Sequence, residues 1–174
     1  MSRRKNAADW QAAIYAQHAP WIAGHHPHMA VGNGWADVMA RLFDRIAAAV
    51  ASEPVPTKIA IIDIKEKYGT LRCDLLAPVG PEAEAGIDHA ILLAEMRSEV
   101  TCDECGEPGQ LRSTMGMSGW LAVKCRDHRS GYPELVAKGP PRRRASDRSG
   151  TFDVVYDRKT DTVTKTPVAD EDSR

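Results

Sequence analysis

Three cysteines and one histidine in the second half of this 174-residue chain have the spacing of a metal site. Cys102 and Cys105 form a CxxC pair, and Cys125 and His128 form a CxxH pair further along. Thiolate and imidazole are ligands that Zn²⁺ prefers, and four of them complete its tetrahedral shell without leaving a position for water or substrate. The spacing therefore predicts one structural Zn²⁺. The alternative is that the three thiols are buried without a metal and that the histidine is unrelated to them.

The residues around the two pairs are suited to turns and a short hairpin. Gly106 follows the CxxC pair, where a tight turn often requires a positive φ. Residues 110–113 and 120–124 can pair as two strands, so that both ligand pairs meet at one end. We expect residues 102–131 to form a zinc ribbon or a treble clef. Cys73 lies in a predicted strand far from this motif, where a buried and unreactive thiol is expected.

The segment before the cysteines predicts helices and one β-hairpin. Apolar residues recur at helical spacing over 7–18, 35–51 and 82–100. Residues 58–64 and 70–76 are predicted strands, joined by a turn at Tyr68 and Gly69. We predict an α+β protein in which a short antiparallel sheet is flanked by the helices at 35–51 and 82–100. Residues 1–101 would form this helical and β-hairpin core.

After residue 131 the composition becomes basic and rich in proline. Residues 138–148 carry a charge of +4, because five cations stand against Asp147: Lys138, Arg142, Arg143, Arg144 and Arg148. We expect residues 132–174 to form a basic, partly disordered arm with a possible β-hairpin. The arm can be a solvated linker or a contact for the phosphates of a nucleic acid, and both interpretations stay open.

The net charge of the whole chain is −1, so any affinity for nucleic acid must be local. Within residues 102–129 four cations are balanced by four acids: Arg112, Lys124, Arg126 and Arg129 against Asp103, Glu104, Glu107 and Asp127. No apolar run approaches the ~18 residues of a membrane span, and no apolar run of a signal peptide follows the basic start. A cytoplasmic protein with reduced thiols and no membrane contact is expected.

Asp63 and Lys65 form a D-x-K motif near the end of a predicted strand. This motif resembles the PD-(D/E)xK nucleases, in which carboxylates hold Mg²⁺ and the lysine orients water. A second carboxylate on a preceding strand is missing, so a strand running into a charged turn is the favoured interpretation.

Three motifs follow one another in a fixed order: Gly32-Asn33-Gly34-Trp35 before a helix, Lys65-Glu66-Lys67-Tyr68-Gly69-Thr70-Leu71-Arg72, and the cysteine motif with Gly119-Trp120 inside it. Together they resemble a family of small phage- and prophage-encoded zinc-finger-like proteins of unknown function. The resemblance covers roughly residues 30–130, and the C-terminal arm departs from it. It implies an accessory protein of a mobile element and provides no reaction or catalytic residues.

We therefore expect a non-enzymatic, zinc-stabilised binding protein that acts on a protein or a nucleic-acid complex, with a protein partner as the first expectation. There are two alternatives. One is a metal-dependent nuclease that uses Asp63 and Lys65, and the other is a nucleic-acid binder that uses residues 138–148. The side chains expected to form a binding surface are Tyr68, Arg72, Trp120, Arg142, Arg143 and Arg144. Trp35 is a further candidate, although its helical spacing favours a place in the core.

Overall fold

The computed structural model of the chain describes residues 7–114, 119–136, 139–147 and 150–168. The helices in these ranges are α1 (Ala7–His18), α2 (Ala36–Val50) and α3 (Pro81–Ser98), with a 3₁₀ turn at Asn33–Trp35. The strands are β1 (Ala60–Lys67), β2 (Thr70–Leu76), β3 (Gln110–Ser113), β4 (Leu121–Lys124), β5 (Glu134–Leu135), β6 (Arg142–Asp147), β7 (Gly150–Asp157) and β8 (Thr162–Pro167). These elements confirm an α+β protein. None of the described helices is both long and apolar enough to span a membrane.

The predicted antiparallel hairpin is formed by β1 and β2. Tyr68 and Gly69 connect the two strands with φ values of 57° and 77°. Two consecutive positive φ values define the type I′ turn, whose twist suits a two-residue hairpin. The main core lies between this hairpin and the helices, and the apolar stripe of α2 is fully buried in it: Val38, Met39, Leu42, Phe43 and Ile46.

The segment that carries the metal-site motif forms a second sheet, with strand order β4-β3-β5. Strands β3 and β4 form the predicted hairpin, with Leu111 opposite Val123. Strand β5 adds to the free edge of β3 and lies beyond residue 131, where the sequence placed the end of this module. We call the described residues between 102 and 136 the cysteine module.

Strands β6, β7 and β8 form a third sheet, in order β6-β7-β8, within the segment where a basic arm with a possible β-hairpin was expected. The apolar side chains Phe152, Val154 and Tyr156 of β7 pack against α3 in a second buried cluster. Arg143 of β6 ion-pairs with Glu95 of α3 and with Glu99, the residue that directly follows this helix. A basic strand is therefore held against an acidic helix face. Lys138, Arg148 and the acidic residues 170–172 lie outside the described residues.

Asp161, in the turn between β7 and β8, connects the third sheet to the helices. Its carboxylate is 2.6 Å from Nη2 of Arg45 and 3.2 Å from Nη1 of Arg41, both on α2. It is also 3.3 Å from Nη1 of Arg97 on α3. The hydroxyl of Tyr156 donates to it over 2.6 Å. Burial opposes ionisation of Asp161, but the Tyr156 hydroxyl and Arg45 lower the pKa of the carboxyl below its usual value.

Replacing this charge should weaken the docking of the third sheet. Asp161→Asn keeps the backbone, because Asn tolerates the left-handed φ of 56° found here. Loss of the charge leaves three guanidinium groups with a weaker acceptor, and we expect a free energy of unfolding lower by about 2 kcal/mol. Urea denaturation at neutral pH measures this difference.

The pH dependence of that difference follows from the lowered pKa of Asp161. A carboxyl whose pKa is lowered by folding stabilises the fold at pH values above its unfolded-state pKa of about 3.9. This stabilisation is lost as the pH falls through the pKa of the carboxyl in the folded state. Wild type and Asp161→Asn should therefore converge in strongly acid solution. Asp153→Asn, in an exposed pair with Arg144, is the control, with an expected change below about 1 kcal/mol. Equal effects of the two substitutions would contradict this role of Asp161.

Candidate metal centre

The four residues of the CxxC and CxxH pairs lie together in the structure. The ligand atoms of Cys102, Cys105, Cys125 and His128 all lie within 4.8 Å of one another. The Cys105 and Cys125 sulfurs are 3.7 Å apart, and Nδ1 of His128 is 3.6 Å from the Cys102 sulfur and 3.3 Å from that of Cys125. Three sulfurs and one imidazole nitrogen thus surround one point, and this cluster can hold a metal ion.

The hairpin of the cysteine module brings the two pairs together. The CxxC pair precedes β3 and forms a knuckle (residues 102–106), in which the Gly106 N–H donates to the Cys102 carbonyl over 3.0 Å. Gly106 has a φ of 83°, in agreement with the turn expected from the sequence. The second pair follows β4 directly. The Asp103 N–H donates to the Val123 carbonyl over 3.1 Å, which ties the knuckle to the end of that strand.

The knuckle rests on the GNGW turn (residues 32–35), a contact that was not predicted from the sequence. The Gly34 N–H donates to the Asp103 carbonyl over 2.8 Å. A Cβ at Gly34 would lie 2.2 Å from the Cys102 carbonyl oxygen and 2.7 Å from the Cys105 nitrogen. Trp35 is fully buried, and its indole N–H donates to the Thr101 carbonyl over 2.8 Å. The two glycines before a tryptophan were the signal for this close approach.

Two acidic residues of the knuckle are paired with a buried lysine. Nζ of Lys124 lies 2.8 Å from Asp103 and 2.7 Å from Glu104, and the lysine side chain is buried. Nε2 of His128, which faces away from the sulfurs, is 3.9 Å from Glu104. The Lys124 ammonium lowers the pKa of Glu104, so this carboxylate is charged at neutral pH. A carboxylate beyond the outer ring nitrogen fixes the orientation of a ligating imidazole.

The sulfurs differ in how readily they ionise. Burial opposes ionisation of Cys125, but N–H groups of Asp127 and His128 lower the pKa of its thiol to about 7. Burial within the cluster, together with the Cys102 and Cys125 sulfurs, raises the pKa of Cys105 to about 12. One thiol therefore ionises readily while its neighbour keeps its proton. A bound cation removes this conflict, since it stabilises several thiolates at once.

Cys73 takes no part in the cluster. It is buried in β2, and burial, followed by the charges of Asp74 and Glu95, raises the pKa of its thiol to about 12. This agrees with the unreactive thiol expected from the sequence.

The residues expected to form a binding surface are dispersed. Tyr68 and Trp120 are 69% and 79% exposed. Arg72 is 3.3 Å from Glu95, and Arg143 is paired with the same helix. Arg142 and Arg144 are exposed, and Trp35 belongs to the core. The structure thus leaves two aromatic side chains exposed at the surface and gives Arg143 a role in docking the third sheet.

Asp63 and Lys65 form an ion pair on β1, with side chains 39% and 44% exposed. Asp74 lies directly opposite Asp63 on β2, so both carboxylates lie on the same face of the hairpin. A second carboxylate was missing from any strand before β1, and Asp74 provides one on β2, the strand that follows it.

Comparison with protein-family models, with curated proteins and with solved structures finds no match to this chain.

The contact between the GNGW turn and the knuckle predicts a severe effect of one methyl group. In Gly34→Ala the new Cβ would meet backbone atoms, which cannot move aside as a side chain can. We expect a free energy of unfolding lower by about 3 kcal/mol and weaker retention of metal against a chelator. Urea denaturation and chelator competition measure the two effects.

Gly80→Ala is the matched control. A Cβ at Gly80 would lie 3.3 Å from the flexible carboxylate of Glu53. We expect Gly80→Ala to have a free energy of unfolding close to that of the wild type. If Gly34→Ala were equally well tolerated, the knuckle would not rest on this turn.

Proposed function

We propose that the protein is a zinc-stabilised binding protein in which the metal has a structural role. The observation that supports it is the convergence of four ligand atoms within 4.8 Å. Four protein ligands fill a tetrahedral shell and leave no position for a substrate or water. When bound, the ion would hold the knuckle and the end of β4 together, while the chain's own surface provides the function.

Zinc is supported by the spacing of the ligand atoms. Zn–S bonds of about 2.3 Å and a Zn–N bond of about 2.0 Å, arranged tetrahedrally, place neighbouring ligand atoms about 3.5–3.8 Å apart. The distances of 3.7 Å between Cys105 and Cys125 and of 3.6 Å between Cys102 and His128 agree with this. The 3.3 Å between Cys125 and His128 is slightly shorter. Three thiolates and one imidazole also favour zinc over oxygen-seeking cations.

A zinc ribbon is favoured over a treble clef. In a treble clef the second ligand pair lies at the start of a helix, whereas Cys125 and His128 lie in a turn after β4. The described residues after this turn continue to the short strand β5.

The likeness of the three motifs to phage-encoded proteins supports an accessory role in a mobile element. The GNGW motif and the cysteine motif are in contact in this structure, which gives a physical reason for their occurrence together. The Tyr68–Gly69 turn of the remaining motif lies against the same module, since a Cβ at Gly69 would be 2.3 Å from Cδ1 of Leu111. The three motifs thus describe one structural unit, and its exposed aromatic residues are candidates for contact with a partner.

Metal content tests the proposal directly. Elemental analysis should find about one zinc ion per chain, as a single four-ligand site requires. Cys102→Ser removes one ligand, and we expect loss of the zinc and a Tm lower by about 10 °C, or about 3 kcal/mol for a chain of this size.

Cys73→Ala is the control, because it removes a thiol outside the cluster. It should leave the zinc content unchanged. Protein that is stable, soluble and free of metal would refute the structural role of zinc.

A second candidate function, a metal-dependent nuclease, is favoured by Asp74 alone. Its position opposite Asp63 provides the carboxylate pair beside Lys65 that such chemistry requires. For this candidate we expect Mg²⁺-dependent cleavage of plasmid DNA that Asp63→Ala and Asp74→Ala each reduce at least tenfold. Asp88→Ala, at an exposed position of α3, should have no effect. Wild-type protein without Mg²⁺-dependent cleavage would remove this candidate.

A further inference from the structure

The charges of residues 102–129 are balanced in number, but only some of them are paired in the structure. Lys124 is ion-paired with Asp103 and Glu104 beside the knuckle. Within the part of the chain that the structure describes, Arg112 and Arg129 have no ion-pair partner. These two guanidinium groups are therefore not neutralised by a described carboxylate.

These two arginines line an open cavity beside the second sheet. The cavity has a volume of about 610 Å³ and is lined by Arg112, Arg129, Ser130, Gly131 and Pro133. Nη1 of Arg112 donates to the Pro133 carbonyl over 3.2 Å, which fixes the guanidinium in the wall. Its Nε is buried and has no hydrogen-bond partner. The wall of the cavity thus contains a guanidinium group that is only partly satisfied by the chain itself.

The sheet places an aromatic platform on the same face. Arg112 pairs with Ala122, and the Thr114 N–H donates to the Trp120 carbonyl, so the ladder continues for one more pair. Because side chains alternate along a strand, Trp120 and Arg112 lie on one face as diagonal neighbours, with Cα atoms about 7–8 Å apart. Trp120 is 79% exposed. This face thus combines an exposed indole with the guanidinium of Arg112, and the adjoining cavity adds that of Arg129.

We propose that this face, formed by Arg112, Arg129 and Trp120, binds single-stranded nucleic acid. Guanidinium groups pair with phosphates, and an exposed aromatic ring stacks on bases of any sequence once they are unpaired. A duplex keeps its bases stacked inside the helix, and the face consists of short strands rather than a helix that could enter a groove. An acidic peptide could use the arginines but would leave the indole without a stacking partner. The inference rests on the proposed zinc site, because Arg129 follows the ligand His128.

The third sheet offers a weaker surface for the same ligand. Arg143 is paired with Glu95 and Glu99, and Arg144 is 3.1 Å from Asp153. Arg142 remains exposed. These contacts occupy two of the three arginines that the sequence assigned to a phosphate-binding arm.

Binding of fluorescein-labelled dT₁₅ and rU₁₅ to the zinc-loaded full-length chain, followed by fluorescence anisotropy, tests the proposal. Trp120→Ala and Arg129→Ala should each weaken binding about tenfold or more. The slope of log affinity against log salt should also fall by about 0.7 in Arg129→Ala. Lys58→Ala, at an exposed position before β1, is the charge control and should bind as the wild type does.

Zinc content and Tm of every variant separate this inference from the proposed metal site. Zinc-loaded, folded wild type that binds neither oligonucleotide would overturn the inference and leave the metal site intact. Equal affinity for duplex DNA, or equally strong competition by poly-glutamate, would also overturn it. The inference would also be overturned if the double variant Arg142→Ala/Arg144→Ala lost binding while Trp120→Ala bound as the wild type does. That result would place the contact on the third sheet.

Discussion

Backbone packs directly on backbone where the GNGW turn meets the knuckle. A Cβ at Gly32 would lie 2.0 Å from the Asp103 carbonyl oxygen, and one at Gly106 would lie 2.9 Å from that of Gly34. Neither side of the contact has room for a side chain. The indole of Trp35 adds a buried hydrogen bond to Thr101, so the knuckle and the start of α2 are fixed together. A metal ion that orders the knuckle would also order the surface on which α2 begins.

The same module connects the remaining sheets. The Tyr68–Gly69 turn of the first sheet lies against Leu111 of β3. The guanidinium of Arg158, in the turn after β7, donates to the Gly106 carbonyl over 3.0 Å. A segment of about thirty residues is too short to bury a core of its own, and here it is placed between larger elements that bury it. Its stability is therefore shared with the helices and with the third sheet, and the free energy of metal binding would be distributed in the same way.

Features encoded by local spacing could be predicted from the sequence, whereas those that depend on distant charges could not. The four ligands, the hairpin of β3 and β4 and the turn at Gly69 follow from patterns within a few residues. The docking of the third sheet does not, because its basic strand is paired with Glu95 on α3 and with Glu99 just after it, more than forty residues earlier. Asp161 is a similar case, since its acceptor role exists only once α2 and α3 have brought their arginines together.

Net charge is a poor guide to what such a small module can bind. Residues 102–129 contain equal numbers of acids and cations, and on that basis the module has no basic face. Folding pairs two acids of the knuckle with one buried lysine, whereas Arg112 and Arg129 line a cavity together. Electrostatic attraction acts over roughly the Debye length, about 8–10 Å near physiological salt. A ligand at that cavity therefore responds to the nearest guanidinium groups more than to the summed charge of the chain.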